Sequence, residues 1–236
     1  MKSGALFGPA HIAWMAGIAL GSIVLANLCR RGLIPQRPLR AVLACLIVVC
    51  EVERYIQDGV RWPHALPLQL CSVTAWFAVA ACITLAPLAT EYVYFLGISA
   101  AGMAVMTPDL GGQWPPRFFL THGVLIATAC VLTFGDLVPL RPGAVWRAYG
   151  LFFVNTVLMG IFDWKFRANY WYLRGKPASF SLYKWMGPWP VYILSAALLA
   201  LMLFWLLWLP WKYHSGKPIA AYSPRKTSRG LRFSNP

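Results

Sequence analysis

Seven stretches of the chain are almost continuously apolar, and most of its polar and charged residues are swept into the segments between them. They cover residues 11–28, 39–58, 66–86, 91–106, 118–137, 145–165 and 188–211. A helix crosses a bilayer core with about 20 apolar residues, within a range of about 17–25, so each stretch is read as a span, the fourth being short. None alternates polar and apolar residues with a period of two. The many ~10-residue alternating segments of a membrane barrel are missing. Since only helices and closed barrels satisfy every backbone group in hydrocarbon, the predicted fold is all-α: a polytopic membrane protein of seven transmembrane helices, forming one domain over residues 1–211.

Composition agrees with this class and charge orients it. Apolar residues make up 59% of the chain and charged ones 12%, about half the charged share of a soluble protein. The net charge of +14 raises the question of nucleic acid. That partner is excluded, because the basic residues border the spans, where they set topology. Twelve Lys and Arg fall on the side that holds the C-terminus and eight on the other. The positive-inside rule then predicts an external N-terminus, a cytoplasmic C-terminus and a multi-pass cell-membrane location. Residues 212–236, basic and rich in Pro and Ser, read as a disordered cytoplasmic tail against anionic headgroups. Lys2 before an apolar run resembles a signal peptide, but no small-x-small cleavage site follows, so the run is read as the first span. The six cysteines show no CxxC spacing, so neither a disulfide framework nor a zinc site is expected. No metal or cofactor is implied.

Within this frame one pair of residues carries chemistry. "LPLQLCS" places Cys71 just inside the third span, and "FFLTHG" places His122 just inside the fifth. Both spans run inward from the outer face, so thiol and imidazole share a side and a depth of roughly 6–8 Å at 1.5 Å per residue. Glu51, Arg54 and Asp58 share one face of the second span and can neutralise one another. Asp109, His11, His64, Asn169, Tyr170 and Tyr172 gather on the same outer side, while the inner side shows only short basic turns. Plainer uses exist for many of these. Arg54 suits a structural ion pair, Asp109 a turn, "GPWP" an interfacial belt, and a buried cysteine ordinary packing. His122 is harder to set aside, because an ionisable group within a span needs a partner.

A thiol beside an imidazole supports covalent acyl transfer: the ring takes the thiol proton and the thiolate attacks an ester carbonyl. Asn155, Asn169, Asp109 or Glu51 can orient the histidine, and the sequence does not choose among them. Gln69 or Asn169 can stabilise the oxyanion or position substrate. Arg117, Arg167 and Arg174 can hold a phosphate, and Tyr170 belongs to the same surface. Membrane lipids, as phospholipids or acyl esters, are the expected partners. The alternative is a small-solute transporter or ligand-binding seven-helix protein, in which the Glu51–Arg54–Asp58 stripe lines a polar path. Polar residues thin out toward the inner half, which disfavours it, although Asn155 and Thr156 lie mid-span. A scaffold without catalysis is the third reading.

The ordered set "FGPAHIAWM", "LPLQLCS", "MTPDL", "THG", "NYWYLRGKPASFSL" and "GPWPVYIL" resembles the YwaF-type family of bacterial integral membrane proteins, related to the eukaryotic transmembrane-164 proteins. The resemblance covers roughly residues 7–210. It implies seven helices and a distant link to androgen-induced membrane hydrolases that cleave fatty-acid esters. It also implies cysteine-dependent acyl transfer between lipids, with the essential cysteine and histidine falling on Cys71 and His122. Family members often carry histidine where Gln69 stands here.

Overall fold

The computed structural model describes residues 6–108, 115–177 and 182–214. It is helical: α1 (Pro9–Arg30), α2 (Gln36–Asp58), α3 (Leu70–Thr84), α4 (Pro87–Met106), α5 (Pro116–Phe134), α6 (Ala144–Phe166) and α7 (Val191–His214). Two short 3-10 turns, Tyr170–Tyr172 and Leu182–Trp185, lie between α6 and α7. Five of the helices are long and apolar enough to cross a membrane: α1, α4, α5, α6 and α7. α2 is long but carries Arg37, Arg40, Glu51, Glu53, Arg54 and Asp58. α3 is apolar but has 15 residues, about 22 Å at 1.5 Å per residue, short of a ~30 Å hydrocarbon core.

The third stretch is shorter than its hydropathy because 66–69 is loop and Leu85 turns left-handed at φ 56°. The fourth is longer than expected: Pro87 sits in the first turn of α4, where proline's missing N–H does no harm, and the helix runs for 20 residues. α7 continues past residue 211 to His214. The expected tail beyond that point lies outside the described residues.

Helix directions alternate, as contacts at the two ends demonstrate. At one end, His11 of α1 bonds the Val105 carbonyl near the C-terminus of α4, Arg117 at the start of α5 pairs with Asp58 at the end of α2, and Arg54 bonds Ser72 at the start of α3. At the other, Arg30 of α1 pairs with Asp136 after α5, and Arg40 of α2 bonds the Cys82 carbonyl near the end of α3. The starts of α3 and α5 therefore lie at the same end, called here the site end.

α4 is the most buried helix and packs against α3, α5, α6 and α7, while α2, α3 and α5 pack on one another. Small residues permit the close approach that helix association in lipid relies on. Ala75, Ala78 and Ala81 of α3 are fully buried. A Cβ on Gly97 of α4 would stand 3.4 Å from both the Ala129 side chain and the Leu125 carbonyl of α5. By contrast α1, α6 and α7 present exposed Leu, Ile, Val and Trp, the surface a lipid solvent requires.

Candidate functional site

The shared end of α2, α3 and α5 holds a polar group in apolar surroundings. Glu51 is 1% exposed. It accepts a hydrogen bond from Arg54 Nη2 at 3.0 Å and from the Tyr55 hydroxyl at 2.5 Å. Arg54 Nη2 also donates to Ser72 Oγ at 2.6 Å, which ties α2 to the first turn of α3 beside Cys71. The expected Glu51–Arg54 pairing is present. Asp58 does not join it, and instead pairs with Arg117 at 3.1 Å, with Gln57 as a further partner of the same arginine.

These pairings set the depths of thiol and imidazole. Ser72 is level with Arg54, four residues short of the end of α2, or about 6 Å. Arg117 is level with Asp58, so His122, five residues on, lies about 7–8 Å below it. Cys71, in the first turn of α3, and His122, in the second turn of α5, thus both lie near the site end. Cys71 packs on the core formed by α3, α4 and α5.

Local structure prepares each group. Cys71 is the second residue of α3, which has no side-chain cap. The N–H groups of a helix's first turn lack intrahelical partners, so the thiol stands among unpaired backbone donors at the start of α3. His122 is largely buried against Phe118, ring centroids 4.3 Å apart. Its Nδ1 lies 2.7 Å from the Phe118 carbonyl. A carbonyl only accepts, so Nδ1 carries the proton, and in the neutral ring Nε2 keeps a free lone pair. The partner of Nδ1 is thus the backbone of α5 itself.

The site end also holds a cleft of about 180 Å³, lined by Arg54, Tyr55, Asp58, His64, Gln69 and Tyr170 among others, and not by Cys71 or His122. Its far wall hangs from the α6–α7 connection. The Tyr170 hydroxyl accepts the Leu66 N–H at 2.6 Å and donates to the Pro63 carbonyl at 2.9 Å, while Trp171 Nε1 donates to the Leu68 carbonyl at 2.7 Å. Burial pushes the Tyr170 phenol above its ordinary pKa, which keeps it a donor. Asp163 Oδ1 accepts the Tyr170 N–H at 3.0 Å. Arg167, Trp171 and Tyr172 all hold φ between 56° and 59°. Left-handed backbone is unfavourable for such side chains and survives where surrounding bonds enforce it.

Of the residues expected to bind substrate, Gln69 and Tyr170 line the cleft. Asn169 is consumed by its own loop: it donates to the Gly175 carbonyl and accepts from the N–H groups of Arg174 and Gly175. Asn155 lies away from the cleft, against the Tyr92 hydroxyl at 3.3 Å. Arg117 holds Gln57 and Asp58. Asp109 lies outside the described residues. His11 is buried, with Nε2 2.7 Å from the Val105 carbonyl and Nδ1 accepting the Phe7 N–H, a fixed neutral tautomer that joins α1 to α4. Among the described residues no three His, Cys, Asp or Glu side chains gather as metal ligands.

Sequence reasoning passed over Tyr55, Ser72, Trp171 and Asp163. Tyr55 had a signal, standing four residues after Glu51 on one helix face. The opposite end also holds more than basic turns. Glu91, 1% exposed, receives two bonds from Arg141 (2.9 and 3.2 Å) and two from Arg147 (2.9 and 2.7 Å).

The TMEM164 family model matches residues 6–208. The chain belongs to the TMEM164 family. The match spans α1 to α6 and most of α7, so it takes in the loop walls of the cleft as well as Cys71 and His122. No curated protein and no solved structure matches the chain.

Proposed function

We propose that this membrane protein is a cysteine-dependent acyl-transfer enzyme acting on lipid esters, as a lipid acyltransferase or an acyl-ester hydrolase, with Cys71 as nucleophile and His122 as general base. The observation that carries this reading is the His122 tautomer. With Nδ1–H committed to the Phe118 carbonyl, the basic Nε2 is left for a proton, in a helix that starts at the same end of the bundle as the α3 turn carrying Cys71. In the first half-reaction Nε2 takes the Cys71 proton and the thiolate adds to the ester carbonyl, forming the C–S bond. Collapse of the tetrahedral oxyanion breaks the C–O bond, and the departing alkoxide takes the proton back from the imidazolium. In the second, an acceptor hydroxyl or water gives its proton to Nε2 and attacks the thioester, which releases the thiol. Base catalysis of this kind is worth about 10²–10⁴-fold.

The cleft at this end suits an ester near the headgroup boundary. The resemblance to YwaF-type proteins, and more distantly to androgen-induced hydrolases, supports both the chemistry and an arrangement of seven spans in the cell membrane. In that arrangement the site end faces outward and the C-terminus lies in the cytoplasm. The test is reconstitution in phosphatidylcholine vesicles containing a phospholipid with a fluorescent acyl chain and a lysophospholipid acceptor. Wild type is expected to move the chain to the acceptor or to release it as free acid. Cys71→Ala and His122→Asn are expected to stop turnover, and a Cys71→Ala variant as fast as wild type would overturn the proposal.

A further inference from the structure

Arg54 is the feature of the site end that a plain ion pair does not explain. A guanidinium offers five N–H donors, and here, among the described residues, Nη2 donates to Glu51 and Ser72. Nε is buried with no hydrogen-bond partner among the described residues, although an unmet buried donor is unfavourable. The arginines on Glu91 behave otherwise, each giving that carboxylate two nitrogens. Arg54 is also held firmly: its Cζ lies 4.8 Å from the Tyr55 ring centroid, Glu51 grips one side of the group, and Ser72 fixes it to the residue after Cys71. It lines the cleft with Gln69 and Tyr170.

We propose that Arg54 is a catalytic residue that binds the oxyanion formed when the Cys71 thiolate adds to an ester carbonyl, with Glu51 and Ser72 positioning the guanidinium. The inference rests on the acyl-transfer reading above and deepens it. As the C–S bond forms, the carbonyl π pair moves onto oxygen, where a cation with donors to spare meets it. As the C–O bond breaks, that pair returns and Arg54 is restored unchanged. Glu51 holds the head in place before any substrate arrives, which is the preorganisation this kind of catalysis needs.

Two reagents on the same thiol separate this role from a structural one. Alkylation by iodoacetamide displaces iodide at a saturated carbon and creates no carbonyl oxyanion, whereas acylation by a p-nitrophenyl ester does. Both rates are read at Cys71 by peptide mass spectrometry in detergent, for wild type, Arg54→Lys and the charge-balanced double variant Glu51→Gln/Arg54→Gln. Acylation of the double variant is expected to fall on the order of 10²–10³-fold, the range for loss of an oxyanion donor, with Arg54→Lys intermediate. Alkylation and thermal unfolding are expected to change little. Equal loss of both rates would make Arg54 a structural or thiol-activating residue, and unchanged acylation would remove it from the reaction; either overturns the inference. A wild-type Cys71 that alkylates but is never acylated overturns the acyl-transfer reading as well, an outcome distinct from both.

Discussion

At one end of the bundle Glu91 takes four hydrogen bonds from Arg141 and Arg147. At the other, Glu51 takes one from Arg54 and one from Tyr55. The two carboxylates are equally buried, at 1% exposure, yet their surroundings differ. The Glu91 cluster joins α4 to the α5–α6 turn and the start of α6, and its arginines stay partly solvated at 47% and 37% side-chain exposure. It saturates its buried acceptor. The Glu51 pair shares its end of the bundle with Cys71 and His122, lines a cleft through Arg54 and leaves Arg54 Nε without a hydrogen-bond partner among the described residues. Ion pairs alone do not mark a site in a membrane protein. An unmet arginine donor does not mark one either, since Arg40 Nε is also buried without a partner among the described residues; what sets the Glu51 pair apart is that its arginine lines a cleft at the end where α3 and α5 begin.

Substitutions that should affect one end and spare the other test this contrast. The largest expected effect is at His122: replacement by Asn should slow acylation of Cys71 by about 10²–10⁴-fold, with the unfolding midpoint in detergent close to wild type. Next comes the opposite end. Arg141→Ala/Arg147→Ala strands the buried Glu91, and breaking a buried pair in this way costs about 3–5 kcal/mol. It should appear as a lowered thermal midpoint, while the Cys71 acylation rate per folded molecule is unchanged. Matching losses of activity and stability in both variants would erase the distinction between the two ends.

Smaller effects sharpen it. Tyr170→Phe removes one donor and one acceptor that hold Pro63 and Leu66. At about 0.5–1.5 kcal/mol per hydrogen bond, the expected result is a modest loss of stability together with faster hydrogen exchange over residues 63–68. Asp58→Asn should do least. Its pair with Arg117 is half exposed, and such pairs are worth about 0–1 kcal/mol, so both midpoint and rate should hold near wild type.

Much of this was legible in the sequence, for physical reasons. Hydropathy marks what lipid can touch, so α1, α5, α6 and α7 were placed within a few residues. It misjudged α3 and α4, where tertiary contacts decide. The Leu66–Gln69 segment is apolar yet folds as loop, because Tyr170 and Trp171 take its backbone groups. Glu91 read as the edge of a span, whereas two arginines some 50 residues away let it lie inside one. Alternation of helix direction sufficed to bring Cys71 and His122 to one end, since it needs only a count of spans. Arg54's bond to Ser72 and the backbone orientation of His122 needed coordinates, because they depend on rotation about helix axes. Asn169 and Asn155 were chosen for chemistry alone, and the structure puts the Asn169 amide on its own loop and the Asn155 amide on Tyr92 of α4.

The most direct measurement on the central claim is the chemical state of Cys71 during turnover. Purified protein mixed with an activated acyl ester, quenched and digested, should yield the Cys71 peptide bearing the acyl mass. Neutral hydroxylamine should remove that mass, and Cys71→Ala should show no equivalent adduct. If Cys71 stays free while the ester is consumed, or if other cysteines acquire the adduct at the same rate, the account of this end as an acyl-transfer site is contradicted.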